Sequence, residues 1–172
     1  MEKNDKKNFW DEEYTRIRFI KGDYKSLYWH EIFDRICALE NTEDKIDAMR
    51  NNATTGMLQY LFYVYDTEQI QFDITPGEVK GIDYRKPSHT EDSMAEITLK
   101  SEWRNFSTIV GTQPKDKRIR FLQKWFETLC EGETELVKLM FNRDLTNRYP
   151  CLSEKFIRKC FSNLLTPKKK VK

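Results

Sequence analysis

The sequence predicts an all-α fold, a single compact domain of six to eight helices with a long irregular, partly extended central connection. One helix face is marked by apolar residues at the intervals i, i+3, i+4, i+7 and i+8: Trp29, Ile32, Phe33, Ile36 and Cys37. This period stops between residues 66 and 89, where helix breakers cluster: Pro76, Gly77, Gly81 and Pro87. Of the 172 residues, 38% are hydrophobic and 34% are charged, which is typical of a globular chain.

The N-terminal extension, residues 1–25, has an ambiguous pattern. Trp10, Tyr14 and Ile17 fit one helix face, whereas TRIRFI alternates like a strand, and Gly22 ends either element. Three helices are expected after it, the first ending near Leu39, the second with Thr42 as its N-cap and the third starting near Thr55.

The central connection contains one alternating segment, EQIQFDI, which favours a short strand or an extended stretch. A connection of this length is often functional. Packing of Phe72 and Ile74 on the core is the other interpretation, and the sequence leaves both open.

The C-terminal half returns to a helical pattern. A helix is expected from the N-cap Thr90 to Gly111, and Gly132 separates the next two helices. Ser153 opens the last helix. The expected organisation is therefore an extension at residues 1–25, a helical domain at residues 26–165 and a basic tail at residues 166–172.

The cysteine pattern indicates neither zinc nor disulfides. Four cysteines occur without a CxxC pair, namely Cys37, Cys130, Cys151 and Cys160. A structural zinc site needs four convergent ligands, so we expect no metal site and reduced, mostly buried thiols. The N-terminus lacks an apolar signal segment, and the longest apolar run, LQYLFYVY, is too short for a bilayer. We therefore expect a soluble, cytoplasmic protein without a membrane partner.

Catalytic motifs are missing from the sequence. The histidines, His30 and His89, belong to no recognisable catalytic pattern, and we expect His30 at the boundary of the core. The glycines form neither GxxxxGK[ST] nor GxGxxG, so no nucleotide cofactor is expected. The sequence therefore predicts a protein that is not an enzyme, with no catalytic residue and no cofactor.

Charge is distributed unevenly along the chain. The net charge is +2, but residues 133–172 contain ten Lys and Arg against four Asp and Glu. Such a chain can present a basic face to a polyanion, although a lysine tail on a neutral domain gives the same balance. The candidate DNA-binding residues are the cations of this region: Arg143, Arg148, Lys155, Arg158, Lys159, Lys168, Lys169 and Lys170. A local ion pair between Arg143 and Asp144 is the alternative for the first of them.

The same region carries a family resemblance. An acidic and apolar helix, ETELVKLMFNRDL, leads through a polar turn into a helix that begins with Ser and ends with apolar residues, SEKFIRKCFSNLL. This arrangement resembles the end of the N-terminal, all-helical DNA-binding domain of phage-type ATP-dependent DNA ligases. Small stand-alone phage proteins of uncharacterised role share the plan. The resemblance implies duplex DNA as the partner and the cytoplasm of an infected host cell as the location.

Two departures from the ligase pattern limit what the resemblance implies. The segment KGIDYRK does not match the nucleotidyl-lysine motif K-x-D-G, and 172 residues leave no room for a nucleotidyltransferase core, so ligase activity is not expected. The family's turn also carries a Gly before the Ser, which NRYPCLS lacks.

Two functions from different classes therefore stand as predictions. The first is a non-enzymatic accessory protein that binds the phosphate backbone of duplex DNA through its C-terminal basic region. The alternative is a protein-interaction module, a phage accessory or inhibitory factor that docks on a replication, transcription or defence protein. The aromatic N-terminal segment favours this alternative, because it has no counterpart in the ligase domain.

Overall fold

The computed structural model describes residues 5–23, 27–88, 93–94, 111 and 113–168, with side chains from residue 13 onward. Within these ranges the chain is helical and contains no β-strand, so the all-α fold class is confirmed. The described helices are α1 (Asp5–Ile20), α2 (Trp29–Ala38), α3 (Thr42–Asn52), α4 (Thr55–Tyr65), α5 (Pro76–Lys80), α6 (Lys115–Phe126), α7 (Glu131–Asn142), α8 (Leu145–Arg148) and α9 (Glu154–Cys160). The helix expected between Thr90 and Gly111 lies almost entirely outside the described residues. No helix in the described ranges combines the length and apolar character needed to cross a membrane.

The ambiguous N-terminal segment is a helix, and its end is fixed on α3. The amide of Gly22 donates to the Phe19 carbonyl and that of Asp23 to the Arg18 carbonyl, which is a Schellman motif with Gly22 at φ 78°. Phe19 is buried, and the Asn52 amide group donates to the Phe19 carbonyl at 2.7 Å. Phe19 therefore joins α1 to the core, while the other described side chains of this helix are exposed or partly exposed.

Helix starts follow local capping chemistry. The prediction that Thr42 caps α3 is wrong by one residue, because the Asn41 side chain accepts the Glu43 amide at 2.8 Å and Thr42 is the first helical residue. Ser153 caps α9 as predicted, with its hydroxyl accepting the Phe156 amide. Gly132 does not separate two helices but lies in the first turn of α7.

The central connection contains no strand but a short helix, α5, where the prolines and glycines had predicted an irregular or extended segment. Thr75 and Glu78 form a capping box, in which the Thr75 hydroxyl accepts the Glu78 amide and the Glu78 carboxylate accepts the Thr75 amide. Ile74 is buried, and the Phe72 ring lies 4.7 Å from the Phe141 ring. The connection is therefore packed against α7.

The cysteines contradict the expectation of reduced thiols. Cys37, in the last turn of α2, forms a disulfide with Cys151, just before α9. Cys130 and Cys160 are free. The bond was not predictable, because the two cysteines are 114 positions apart and pairing cannot be deduced from spacing alone.

Glu133 joins three parts of the fold from a fully buried position. One carboxylate oxygen accepts the Trp29 amide at the start of α2, at 3.0 Å, and the other accepts the Met94 amide at 2.6 Å. Because α7 itself supplies the carboxylate, the helix is bonded to both segments. Gly132 lies next to this junction. A Cβ atom at this position would lie 2.5 Å from the His30 ring, so α2 and α7 approach each other closely here.

Candidate nucleic-acid interface

The polar break between α7 and α9 is a packed corner in which buried apolar residues alternate with exposed polar ones. Leu145, Tyr149 and Leu152 are buried, and the Tyr65 hydroxyl donates to the Leu152 carbonyl. The disulfide fastens Cys151 to α2. The break therefore holds a fixed geometry, and only particular side chains on it face solvent.

Arg143 belongs to the scaffold of this corner. It adopts a left-handed conformation, φ 52°, at the C-cap of α7, and its guanidinium donates to the carbonyls of Tyr63, Val64 and Ile70. The same group lies 4.7 Å from the centre of the Phe72 ring. Burial lowers its pKa, although the nearby Asp66 opposes this. Its hydrogen-bonding groups are directed at the main chain, so we leave Arg143 out of the proposed DNA contact surface.

Arg148 is the exposed cation of the corner. Its guanidinium lies 5.7 Å from the centre of the Tyr149 ring, whose hydroxyl raises the pKa of the arginine further. Because Tyr149 itself is buried against Phe33, it has no free face on which a base could stack. Arg148 can therefore contribute positive charge to a contact with an anion, whereas the buried Tyr149 ring only packs beneath the guanidinium.

Glu154 organises the cations at the start of α9. Arg158 donates to one of its oxygens at 2.9 Å, and the Lys168 ammonium lies 3.1 Å from the other. Partial burial raises the pKa of Glu154, but these two partners outweigh burial and hold the pKa below its ordinary value. Arg158 also donates to the Leu165 and Thr166 carbonyls. Arg158 is therefore engaged within the protein, and Lys168 pairs with Glu154 at the surface, while Lys169 and Lys170 lie outside the described residues.

The segment after α9 is anchored by Asp66. Its carboxylate accepts the Thr166 amide at 2.7 Å and the Gln69 amide at 3.0 Å. Burial raises the pKa of Asp66, yet these hydrogen bonds more than offset it and the pKa lies below its ordinary value. The charged carboxylate thus keeps the start of the basic tail beside the end of α4.

Lys155 and Lys159 present the most accessible charges of the predicted set. They are four residues apart on α9, so they share one helix face, and both are exposed. Neither ammonium group has an ion-pair or hydrogen-bond partner in the part of the chain that the structure describes. Arg50 of α3 caps the end of the helix, donating to the Lys159 and Cys160 carbonyls at 3.0 Å each. The two lysines are therefore held on a fixed element with their charges free.

A second cluster, Cys130 with His30, was not expected from the sequence because the residues are 100 positions apart. Cys130 is the N-cap of α7, and its sulfur lies 4.0 Å from Nδ1 of His30 in α2. Burial raises the pKa of Cys130, although the α7 amides oppose it, and burial lowers the pKa of His30. Both shifts disfavour the thiolate and imidazolium forms that a nucleophilic pair uses. Among the described residues, no group of three or more potential ligands could hold a metal ion.

Comparison with known proteins gives no assignment. No family model matches the chain, and neither a curated protein nor a solved structure matches it. Geometry and charge therefore carry the functional argument.

Proposed function

We propose that this chain is a non-enzymatic protein that binds the phosphate backbone of duplex DNA through the exposed cations of α8 and α9. The observation that carries the proposal is the pair Lys155 and Lys159, exposed on one face without an acidic partner among the described residues. Residues 148–168 contain five cations and one anion, and that anion, Glu154, is already engaged by Arg158 and Lys168. The resemblance to the DNA-binding domain of phage-type ligases predicts the same partner.

The packed corner explains how such binding works without the glycine of the ligase pattern. Backbone amides reach a phosphate only where the chain is open, whereas here Leu152 is buried and Cys151 is bonded to α2. Long lysine and arginine side chains reach outward from a rigid element instead. Contacts of this type position the protein on DNA and carry little sequence information.

Neutralising Lys155 and Lys159 with the substitutions K155Q and K159Q is expected to weaken duplex binding and its salt dependence. Two phosphate contacts contribute about 1.8 to the slope of log affinity against log salt. Between 50 and 200 mM salt, the unchanged protein should therefore lose about twelve times more affinity than the variant. Fluorescence anisotropy with a labelled duplex at several salt concentrations measures this slope.

The matched control is the double variant K45Q/K80Q, which removes the same charge from α3 and α5. It should keep a slope close to that of the unchanged protein. A protein that binds no duplex even at 50 mM salt, or a K155Q/K159Q variant with an unchanged slope, would contradict the proposed surface.

A protein-interaction module is the second candidate, and the outer face of α1 favours it. Tyr14 is 63% exposed and Ile17 is 39% exposed, and they are the large hydrophobic residues that the described part of the chain leaves in solvent. They lie three positions apart and so are neighbours on the helix surface. Exposed aromatic and aliphatic pairs of this kind serve as anchors in protein interfaces.

Replacing both anchors with Y14S and I17S is expected to abolish retention of a replication, transcription or defence protein on the immobilised chain. A control variant with two exposed acids replaced, E40S/D47S, should retain it. Quantitative mass spectrometry of the eluted proteins compares the three baits. Equal retention by the Y14S/I17S variant would count against this function, because the apolar pair is its only structural support.

A further inference from the structure

Helix α6 is the most basic helix of the described chain. Its twelve residues, KDKRIRFLQKWF, contain five cations and one acid. Two of the cations are used inside the protein. Arg118 is buried and pairs with Asp73, and Lys115 pairs with Glu78 of α5. Both pairs fix α6 to the central connection.

The other three cations form a row that we call the α6 stripe: Lys117, Arg120 and Lys124. Their spacing of i, i+3 and i+7 puts them within an arc of about 60° and along about 10 Å of the helix axis. All three are exposed, and none has an ion-pair or hydrogen-bond partner within the described ranges. Leu122, Trp125 and Phe126 are buried on the opposite side and hold the stripe outward.

We propose that the α6 stripe is a second phosphate-contacting surface for DNA, separate from Lys155 and Lys159. The inference rests on the proposed function and extends it to a part of the chain outside the C-terminal basic region. Two surfaces that engage one duplex together increase affinity, because the second contact forms within an already bound complex.

The composition of the stripe favours a polyanion over a protein partner. The exposed positions of α6 are all charged, and its apolar residues Ile119 and Phe121 are partly buried against the core, so the stripe offers little apolar surface as the anchor that a protein interface needs. An exposed lysine gains at most about 1 kcal/mol from a single carboxylate. A row of three gains more from duplex DNA, which carries one charge per about 1.7 Å and releases counterions on contact.

The test replaces the stripe with glutamine, which keeps helix propensity, in the triple variant K117Q/R120Q/K124Q. Loss of three phosphate contacts should make the slope of log affinity against log salt shallower by about 2.7. Between 50 and 200 mM salt, the variant should therefore lose about 40-fold less affinity than the unchanged protein. The control variant K21Q/K45Q/K80Q removes three charges from separate places, the turn after α1, α3 and α5, and should change the slope much less. Circular dichroism and thermal unfolding establish that both variants fold.

The outcomes separate this inference from the function on which it rests. A reduced slope in the stripe variant beyond that of the control supports the inference. If the unchanged protein and the stripe variant bind with the same slope while K155Q/K159Q weakens binding, the inference is overturned and the proposed function stands. If the unchanged protein binds no duplex, the function itself fails. If a polyglutamate peptide binds the unchanged protein but not the stripe variant, and both proteins bind DNA equally, the stripe contacts an acidic protein and the inference is overturned.

Discussion

Removing the disulfide is expected to lower the free energy of unfolding by about 4 kcal/mol, a large fraction of the stability of a domain this size. The bond between Cys37 and Cys151 closes a loop of 114 positions, so its absence returns much conformational entropy to the unfolded chain. Both cysteines are half-buried. Urea unfolding with and without a reductant, and of the variant C37S/C151S, measures the change.

The controls for this measurement are two cysteine variants and a count of reactive thiols. The C37S/C151S variant should not respond to reductant, whereas C130S should respond as the unchanged protein does. A thiol-reactive dye should count two thiols in the unfolded oxidised protein, from Cys130 and Cys160, and four after reduction. Four reactive thiols before reduction would show that the bond does not form.

Replacing Glu133 with alanine is expected to cost about 4 kcal/mol of stability. The substitution leaves the buried amides of Trp29 and Met94 without their acceptor, and each unsatisfied buried donor costs about 1 to 3 kcal/mol. It also removes side-chain volume from a position that is fully buried. The change in urea midpoint at constant slope reports the loss.

The neighbouring acid Glu135 provides the control for this measurement. It lies two residues further along α7 and is exposed, so the variant E135A should change stability by less than about 0.5 kcal/mol. The isosteric change E133Q should fall between the two, because an amide keeps one acceptor but turns a donor toward the second amide. A stability of E133A equal to that of E135A would show that the junction contributes little.

Features that depend on neighbouring residues were predictable from the sequence. The spacing of Trp29, Ile32, Phe33 and Ile36 predicted the buried face of α2, and Ser153 predicted the start of α9. The capping box of α5 was also present in the letters TPGE, but the glycines and prolines around it suggested an irregular connection instead.

Features that depend on distant residues were not predictable. Arg143 looked like an exposed cation in a polar turn, yet its partners are carbonyls 73 to 80 positions away. Arg158 likewise pairs with Glu154, and Lys168, although its side chain is 73% exposed, lies 3.1 Å from the same carboxylate. Only the fold decides which cations lack an acidic or main-chain partner, and among the predicted cations that the structure describes these are Arg148, Lys155 and Lys159.

The α6 stripe was missed for a different reason. Residues 1–132 have a net charge of −4, because acidic segments elsewhere in this range outweigh the positive charge of α6. A helical projection of KDKRIRFLQKWF alone would have placed the three cations on one side. Charge sums over long windows therefore conceal short surfaces that a single helix can present.

The cap that Arg50 places on α9 has a consequence for the order of folding. A helix of seven residues is too short to be stable by itself, and its last carbonyls are held by a residue 109 and 110 positions earlier in the chain. Such a contact forms only after a long loop has closed, which makes it a late event. During synthesis, the face carrying Lys155 and Lys159 would therefore take shape only once α3 is folded and α9 itself has left the ribosome.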